Sequence, residues 1–133
     1  MQAGLISIPL LHDSLGSIGV VEGRDLLPFA VKRFYFIRDV PLGATRGSHA
    51  HKSLHQLVIA VSGSVTVELD DATTTQSFEL SGPDGGLHVP PGYWRTLSDF
   101  APDSVVAVLA SSEYSEHDYI REYESFLVWK NRD

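Results

Sequence analysis

The sequence predicts an all-β fold, an antiparallel sandwich or barrel, finished by one C-terminal helix. Three observations carry this. Short apolar runs rich in Val, Ile, Phe and Tyr recur between clusters of Gly, Pro, Asp and Ser. The run SVTVELD at 64–70 alternates with period two and puts Val65, Val67 and Leu69 on one face. From Ser115 the spacing turns helical, with Tyr119, Tyr123 and Phe126 on one face.

The elements follow in order. Residues 5–11 form a first strand, and 12–17 are turn chemistry, where Asp and Ser bond nearby backbone and Gly accepts positive φ. Residues 18–22 give a second strand, 23–25 a turn, and Pro28 marks a boundary. Residues 29–40 read as a long strand, FAVKRFYFIRDV. In it Phe34 and Phe36 share one face, and Arg33, Tyr35 and Ile37 share the other. Residues 54–61 are a further strand, and Ser62-Gly63 reads as a hairpin turn into 64–70. Strands at 73–80, 87–89, 93–100 and 104–110 complete the β portion. Ser115 is the expected helix N-cap, with Glu116 and Asp118 in the first turn, where the helix dipole favours acids.

The chain of 133 residues suits one domain, 1–133, with a real core. Cysteine is absent, which removes disulfides and thiolate metal sites. No run approaches the roughly 18 apolar residues that span a bilayer, and the N-terminus lacks a basic signal-peptide start, so a cytoplasmic location is expected. The formal net charge of −7 argues against sequence-independent binding to nucleic acid or anionic membrane. Lys32, Arg33, Arg38, Arg46 and Lys52 nevertheless fall close together, so a positive pocket for a small anion is compatible with the acidic total.

The chemistry concentrates in Arg46-Gly47-Ser48-His49-Ala50-His51-Lys52-Ser53-Leu54-His55. In an extended strand His49 and His51 point the same way, and a regular strand would add Ser53 and His55 to that face. Same-face imidazoles suit an acid/base pair or part of a metal site, and His49, His51 and His55 together would make a three-histidine ligand set. His12 and His117 read as surface residues, and His88 as a packing or rim residue.

A Gly, then His-x-His, an apolar strand and a Gly turn, followed by Gly-x-x-x-x-Pro and an aromatic, resembles the two half-motifs of cupins. Here these run from Gly43 to Gly63 and from Gly86 to Trp94. More narrowly, KRFYFI at 32–37, RGSHAHK at 46–52, PGYW at 91–94 and DYIREY at 118–123 look like the dTDP-sugar 3,4-ketoisomerases, a likeness covering about residues 13–126. The resemblance implies a cupin-type antiparallel jelly-roll barrel that uses no metal and no cofactor. It implies a homodimer with exchanged N-terminal strands. The implied reaction converts dTDP-4-keto-6-deoxy-D-glucose into a 3-keto-6-deoxyhexose through an enediol, for 3-amino sugars of surface polysaccharides.

That reaction needs a base near neutral pH, best served by imidazole. The resemblance assigns proton abstraction to His49. His51 is the expected partner for the oxygen shuttle or the second proton, and Tyr35 can polarise or protonate a substrate oxygen. Arg46 suits the enolate charge or the diphosphate and Arg33 the diphosphate, since Arg is shaped for bidentate phosphate contacts. Trp94 or Tyr93 is expected to pack on thymine or sugar, and Ser17 belongs to the substrate-binding turn.

Departures from the family pattern matter here. His55 stands where cupins commonly have Glu, Arg95 where relatives and metal-binding cupins have His, and Leu15 where the family turn carries Arg. A guanidinium cannot ligate a metal. Arg95 is expected to replace the cation missing at Leu15. Competing readings are a metal-dependent cupin oxygenase, separated by metal analysis, a dTDP-sugar 3,5-epimerase, whose product keeps the 4-keto group, and a catalytically silent sugar-binding cupin, which binds without proton exchange.

Overall fold

The computed structural model describes residues 1–132. Its strands are β1 (Gly4–Ser7), β2 (Leu10–Asp13), β3 (Gly16–Gly19), β4 (Arg33–Ile37), β5 (Arg46–His51), β6 (Gln56–Ser62), β7 (Ser64–Asp70), β8 (Thr75–Ser81), β9 (Gly85–Val89), β10 (Trp94–Ser98), β11 (Val105–Ala110) and β12 (Tyr119–Ile120). Two helices, α1 (Gly23–Leu26) and α2 (Tyr123–Lys130), complete the chain. The strands form two five-stranded antiparallel sheets, ordered β1-β9-β6-β11-β4 and β12-β5-β10-β7-β8, with β2-β3 as a separate hairpin. This is the expected jelly roll, although the two sheets do not close into one hydrogen-bonded ring.

Alternation places the core. Val58, Ala60, Val65, Val67, Leu69, Leu87, Val89, Val106 and Val108 point between the sheets and are buried together. The opposite faces carry smaller clusters. Leu57 and Ile59 lie under Ile8 and Leu27 outside the first sheet. Ala50 packs with Ile120 and Phe126 beneath α2 outside the second. Burying side chains of this size is worth about 1.5–3 kcal/mol each, so both faces of the central strands are tied down.

Four expectations about elements are corrected. The strand at 5–11 divides at Pro9, which has no N–H to give a ladder, into β1 and β2. Residues 29–40 supply only the short β4, bounded by non-strand segments. Ser62-Gly63 is not a hairpin within one sheet: β6 pairs with β9 and β11, whereas β7 pairs with β8 and β10, so this turn carries the chain across the sandwich. Gly63 has φ 75°, and a Cβ there would stand 2.2 Å from Ser104 Oγ, so the crossing requires glycine.

The C-terminal helix starts later than the spacing predicts. Ser115 makes no side-chain cap, and residues Glu116–Asp118 form a 3₁₀ turn. Tyr119 and Ile120 then pair with His51 and Ala50 as β12 before α2 begins. Ile120 reaches the cluster beneath α2 from a strand, so the same apolar residue serves either period.

Candidate active site

A pocket of about 580 Å³ opens between the sheets, against β4, β5 and β10. Strand β4 delivers Arg33, Tyr35 and Ile37 to it, as alternation predicts; Phe34 also borders the pocket, but it and Phe36 are 60% and 56% exposed. Strand β5 delivers Arg46 and His49, and β10 delivers Arg95 and Leu97. Strand β6 adds Gln56, and the segment after the 3₁₀ turn adds Tyr119 and Arg121.

A bulge aims the histidine. Arg95 pairs with His49 and Thr96 with Gly47, which leaves Ser48 as the extra residue. Gly47 has φ 88° and its Cα faces the Arg95 carbonyl so closely that a Cβ would meet the oxygen at 3.1 Å. The Arg-Gly-Ser sequence before His49 is therefore backbone geometry as well as chemistry.

His49 and His51 do lie together, ring centroids 4.9 Å apart and edge to face. Their surroundings differ. His49 is half-buried on the pocket wall. His51 is 1% exposed and stands behind it, outside the pocket lining. His51 Nδ1 donates to Asp118 Oδ2 at 2.9 Å, and Ser53 holds the other carboxylate oxygen through its N–H at 2.8 Å and its hydroxyl at 2.6 Å. Tyr119 covers both imidazoles, with centroids 4.9 Å from His49 and 4.4 Å from His51. The Arg121 guanidinium carbon lies 4.2 Å from the centroid of the Tyr119 ring, and the group is ion-paired to Glu116.

The electrostatics keep both imidazoles neutral. Burial, then the Arg95 guanidinium, push the His49 pKa down to about 4, against a hydrogen bond to the Gly47 backbone. The sequence reading expected a value near 7. Burial, Arg95 and His49 also lower His51, outweighing Asp118, so this contact is a neutral imidazole donating to a carboxylate. Burial pushes the Asp118 carboxyl up, but the hydrogen bonds from Ser53 and His51 prevail and leave it below the usual carboxylate range.

Arg95 is 3% exposed and remains a cation, though burial lowers its pKa to about 10. Its Nη2 donates to the Tyr93 carbonyl at 3.1 Å and its Nη1 donates to Gln56 Oε1. Gln56 Nε2 in turn donates to the Tyr35 hydroxyl at 3.0 Å. Arg33 sits with its guanidinium carbon 5.4 Å from the Tyr35 ring. Of the cations clustered in sequence, Arg33 and Arg46 line the pocket, whereas Arg38 pairs with Asp39 at the surface.

Three sequence-predicted residues lie elsewhere. Trp94 is on the opposite face of β10 from Arg95 and packs beneath α2 against Phe126 and Tyr123, with centroids at 5.9 and 5.4 Å. One step along a strand changes the face, so Trp94 and Arg95 point to opposite sides of the second sheet. Ser17 lies on the β2-β3 hairpin beside His12, outside this pocket, and Leu15 at the hairpin tip is 94% exposed. His55 leaves the His49 face because β5 ends at His51, and its Nδ1 meets His88 Nε2 at 3.1 Å on the outer face of the first sheet. The three-histidine set is thus not assembled, and no cluster of three potential metal ligands occurs among the described residues.

Asp118, Tyr119 and Gln56 were missed. The first two read as helix residues because residues 115–126 match a helical period. Gln56 carried a usable signal: it is a polar residue entering an otherwise apolar strand, at an inward position.

The chain is similar to characterised enzymes over nearly its whole length. The family model FdtA: WxcM-like, C-terminal matches residues 1–131. The TDP-4-oxo-6-deoxy-alpha-D-glucose-3,4-oxoisomerase of Aneurinibacillus thermoaerophilus is 41% identical over 126 residues, covering 95% of this chain and 91% of that protein. A mutant of the 3,4-ketoisomerase QdtA from Thermoanaerobacterium thermosaccharolyticum, in complex with TDP-4-keto-6-deoxyglucose, superposes with a TM-score of 0.93 at 38% identity, covering 96% and 93% of the two chains. A 3,4-ketoisomerase from Helicobacter canadensis gives 0.95 at 35%, covering 99% of each. With family match, relatives and fold in agreement, the chain belongs to the FdtA-like family of TDP-sugar 3,4-ketoisomerases.

Proposed function

We propose that this protein is an isomerase that converts dTDP-4-keto-6-deoxy-D-glucose to a dTDP-3-keto-6-deoxyhexose. The observation that carries the reading is a neutral imidazole, His49, on the wall of a pocket that also presents Tyr35, Arg95, Arg33 and Arg46. The names of its relatives supply the substrate class.

In this reading His49 takes the proton from C3. The electrons flow into the C4 carbonyl, and an enediol spans C3 and C4. The Tyr35 hydroxyl gives its proton to O4 and regains one from the C3 hydroxyl. Imidazolium His49 then returns the carbon-derived proton at C4 while the C3 ketone forms, so protons and electrons balance. The Arg95 cation stabilises the developing oxyanion from its buried position on the pocket wall. Arg33 and Arg46 hold the diphosphate, whose negative charge favours protonated His49 and offsets the push of burial and Arg95. His51 acts through His49 as a positioning residue, with Asp118 fixing its tautomer. No step calls for a metal or a cofactor.

A homodimer belongs to this proposal. Among the described residues the β2-β3 hairpin pairs with no other strand, and it exposes Leu11, Leu15 and Ile18. Exchange across the dimer would bring Ser17 to a partner's pocket. The cytoplasmic setting and supply of 3-amino sugars for surface glycans follow from the substrate class.

Proton NMR of dTDP-4-keto-6-deoxy-D-glucose with metal-stripped protein in D₂O tests the reading. The expected product has its ketone at C3 and a new proton or deuteron at C4. Exchange at C3 or C5 with the ketone still at C4 would make it an epimerase. Binding without exchange would make it a silent module.

A further inference from the structure

The pocket contains a hydrogen-bond chain whose direction is set by one member. Arg95 can only donate. It donates to Gln56, so the oxygen of that amide must face Arg95 and the nitrogen must face away. That nitrogen lies 3.0 Å from the Tyr35 hydroxyl and donates to it. Amide orientations are commonly ambiguous, but here the neighbouring guanidinium resolves this one. Gln56 and Arg95 are both 3% exposed, so the bond between them is shielded from water.

From this we infer that Gln56 is a positioning residue that turns the Tyr35 proton into the pocket. The phenol oxygen already accepts from Gln56, and Gln56 offers it no acceptor. Its proton is therefore committed to whatever oxygen occupies the pocket. The same donor then stabilises the phenolate oxygen at the moment its proton is passed on. This deepens the ketoisomerase reading and rests on it: the oxygen served is O4 of the substrate.

The test reverses the chain. In Gln56→Glu the carboxylate keeps the size of the side chain, still accepts from Arg95, and now also accepts from Tyr35. The tyrosine proton turns away from the pocket. The expected result is a kcat lower by about 10²-fold, typical of losing a positioned proton donor, with KM within about threefold. Combined with Tyr35→Phe, the same change costs clearly less than it does alone, because the Tyr35 proton is already gone and only the charge placed beside Arg95 still acts. Titration of the Tyr35 ring, followed by ¹³Cζ NMR and assigned with Tyr35→Phe, moves to higher pH in Gln56→Glu. Gln56→Met, which removes the donor without supplying an acceptor, keeps the proton available and loses less activity.

A kcat within twofold of wild type, an undiminished loss in the Tyr35→Phe background, or an unmoved tyrosine titration would overturn the inference. So would a greater loss in Gln56→Met than in Gln56→Glu. The titration needs no substrate. A wild-type protein without isomerase activity would therefore refute the proposed reaction, while the tyrosine midpoints still decide the direction of the chain.

Discussion

Two histidine pairs in one small protein sit in opposite settings, and they differ by environment rather than residue type. His49 and His51 face inward, meet edge to face, and are joined to Arg95, Tyr119 and Asp118. His55 and His88 lie on the outer face of the first sheet, joined ring to ring with an interplanar angle of 8° and flanked by Phe29. Both pairs are held neutral, chiefly by burial. Only the inner pair has an open pocket on one side and a carboxylate on the other. An imidazole becomes a candidate base when its second nitrogen has a fixed partner and its first has somewhere to reach.

The largest contrast is expected from single substitutions in the two pairs. His49→Asn should lower kcat by about 10³-fold or more with little change in thermal midpoint, whereas His88→Asn should leave steady-state kinetics unchanged and cost about 1 kcal/mol of stability. Equal kinetic losses in both variants would erase the distinction between the two pairs.

A smaller effect probes what stands behind the inner pair. Asp118→Asn still fills the space but offers His51 an amide in place of a carboxylate. Kcat should fall about 10- to 100-fold, as for other partners that orient a functional imidazole, while affinity for TDP holds. A loss of TDP binding instead would mean that Asp118 shapes the pocket rather than the base.

The pH dependence of folding sharpens the comparison further. His88 has a pKa pushed to about 4 from an ordinary 6.5, first by burial, then by His55 and the N-terminal ammonium. The fold therefore prefers its neutral form. That stability is fully present above pH 6.5 and is lost as the pH falls from 6.5 through about 4. His49, also pushed to about 4, contributes in the same window. Urea midpoints measured across that range should fall less steeply in His88→Leu than in wild type, and an unchanged slope would show that the outer pair is solvated.

The smallest expected effect concerns Trp94. Trp94→Ala should leave KM within about twofold and cost about 2 kcal/mol, because the ring is half-buried beneath α2 rather than in the pocket. Weakened substrate binding at unchanged stability would return it to the site.

Much of this protein follows from local periodicity. Alternation alone separates Arg33, Tyr35 and Ile37 from Phe34 and Phe36, puts His49 and His51 on one face, and turns Val65, Val67 and Leu69 inward. Such patterns belong to the extended chain itself, so they survive whatever the strand pairs with. The bulge at Ser48 was not legible, because what requires glycine at position 47 is the Arg95 carbonyl of a neighbouring strand. The decisions left to tertiary structure all involve partners distant in sequence. The turn at Gly63 crosses between sheets because β6 and β7 find different neighbours. Residues 119–120 become a strand because β5 has a free edge and Ile120 can be buried there, which overrides a weak helical period. Asp118 meets His51 across 67 positions, and Gln56 meets Arg95 across 39. No spacing rule spans those gaps. They close only when burial of the apolar faces brings the two sheets together, and at that step a buried polar group must find a partner or destabilise the fold.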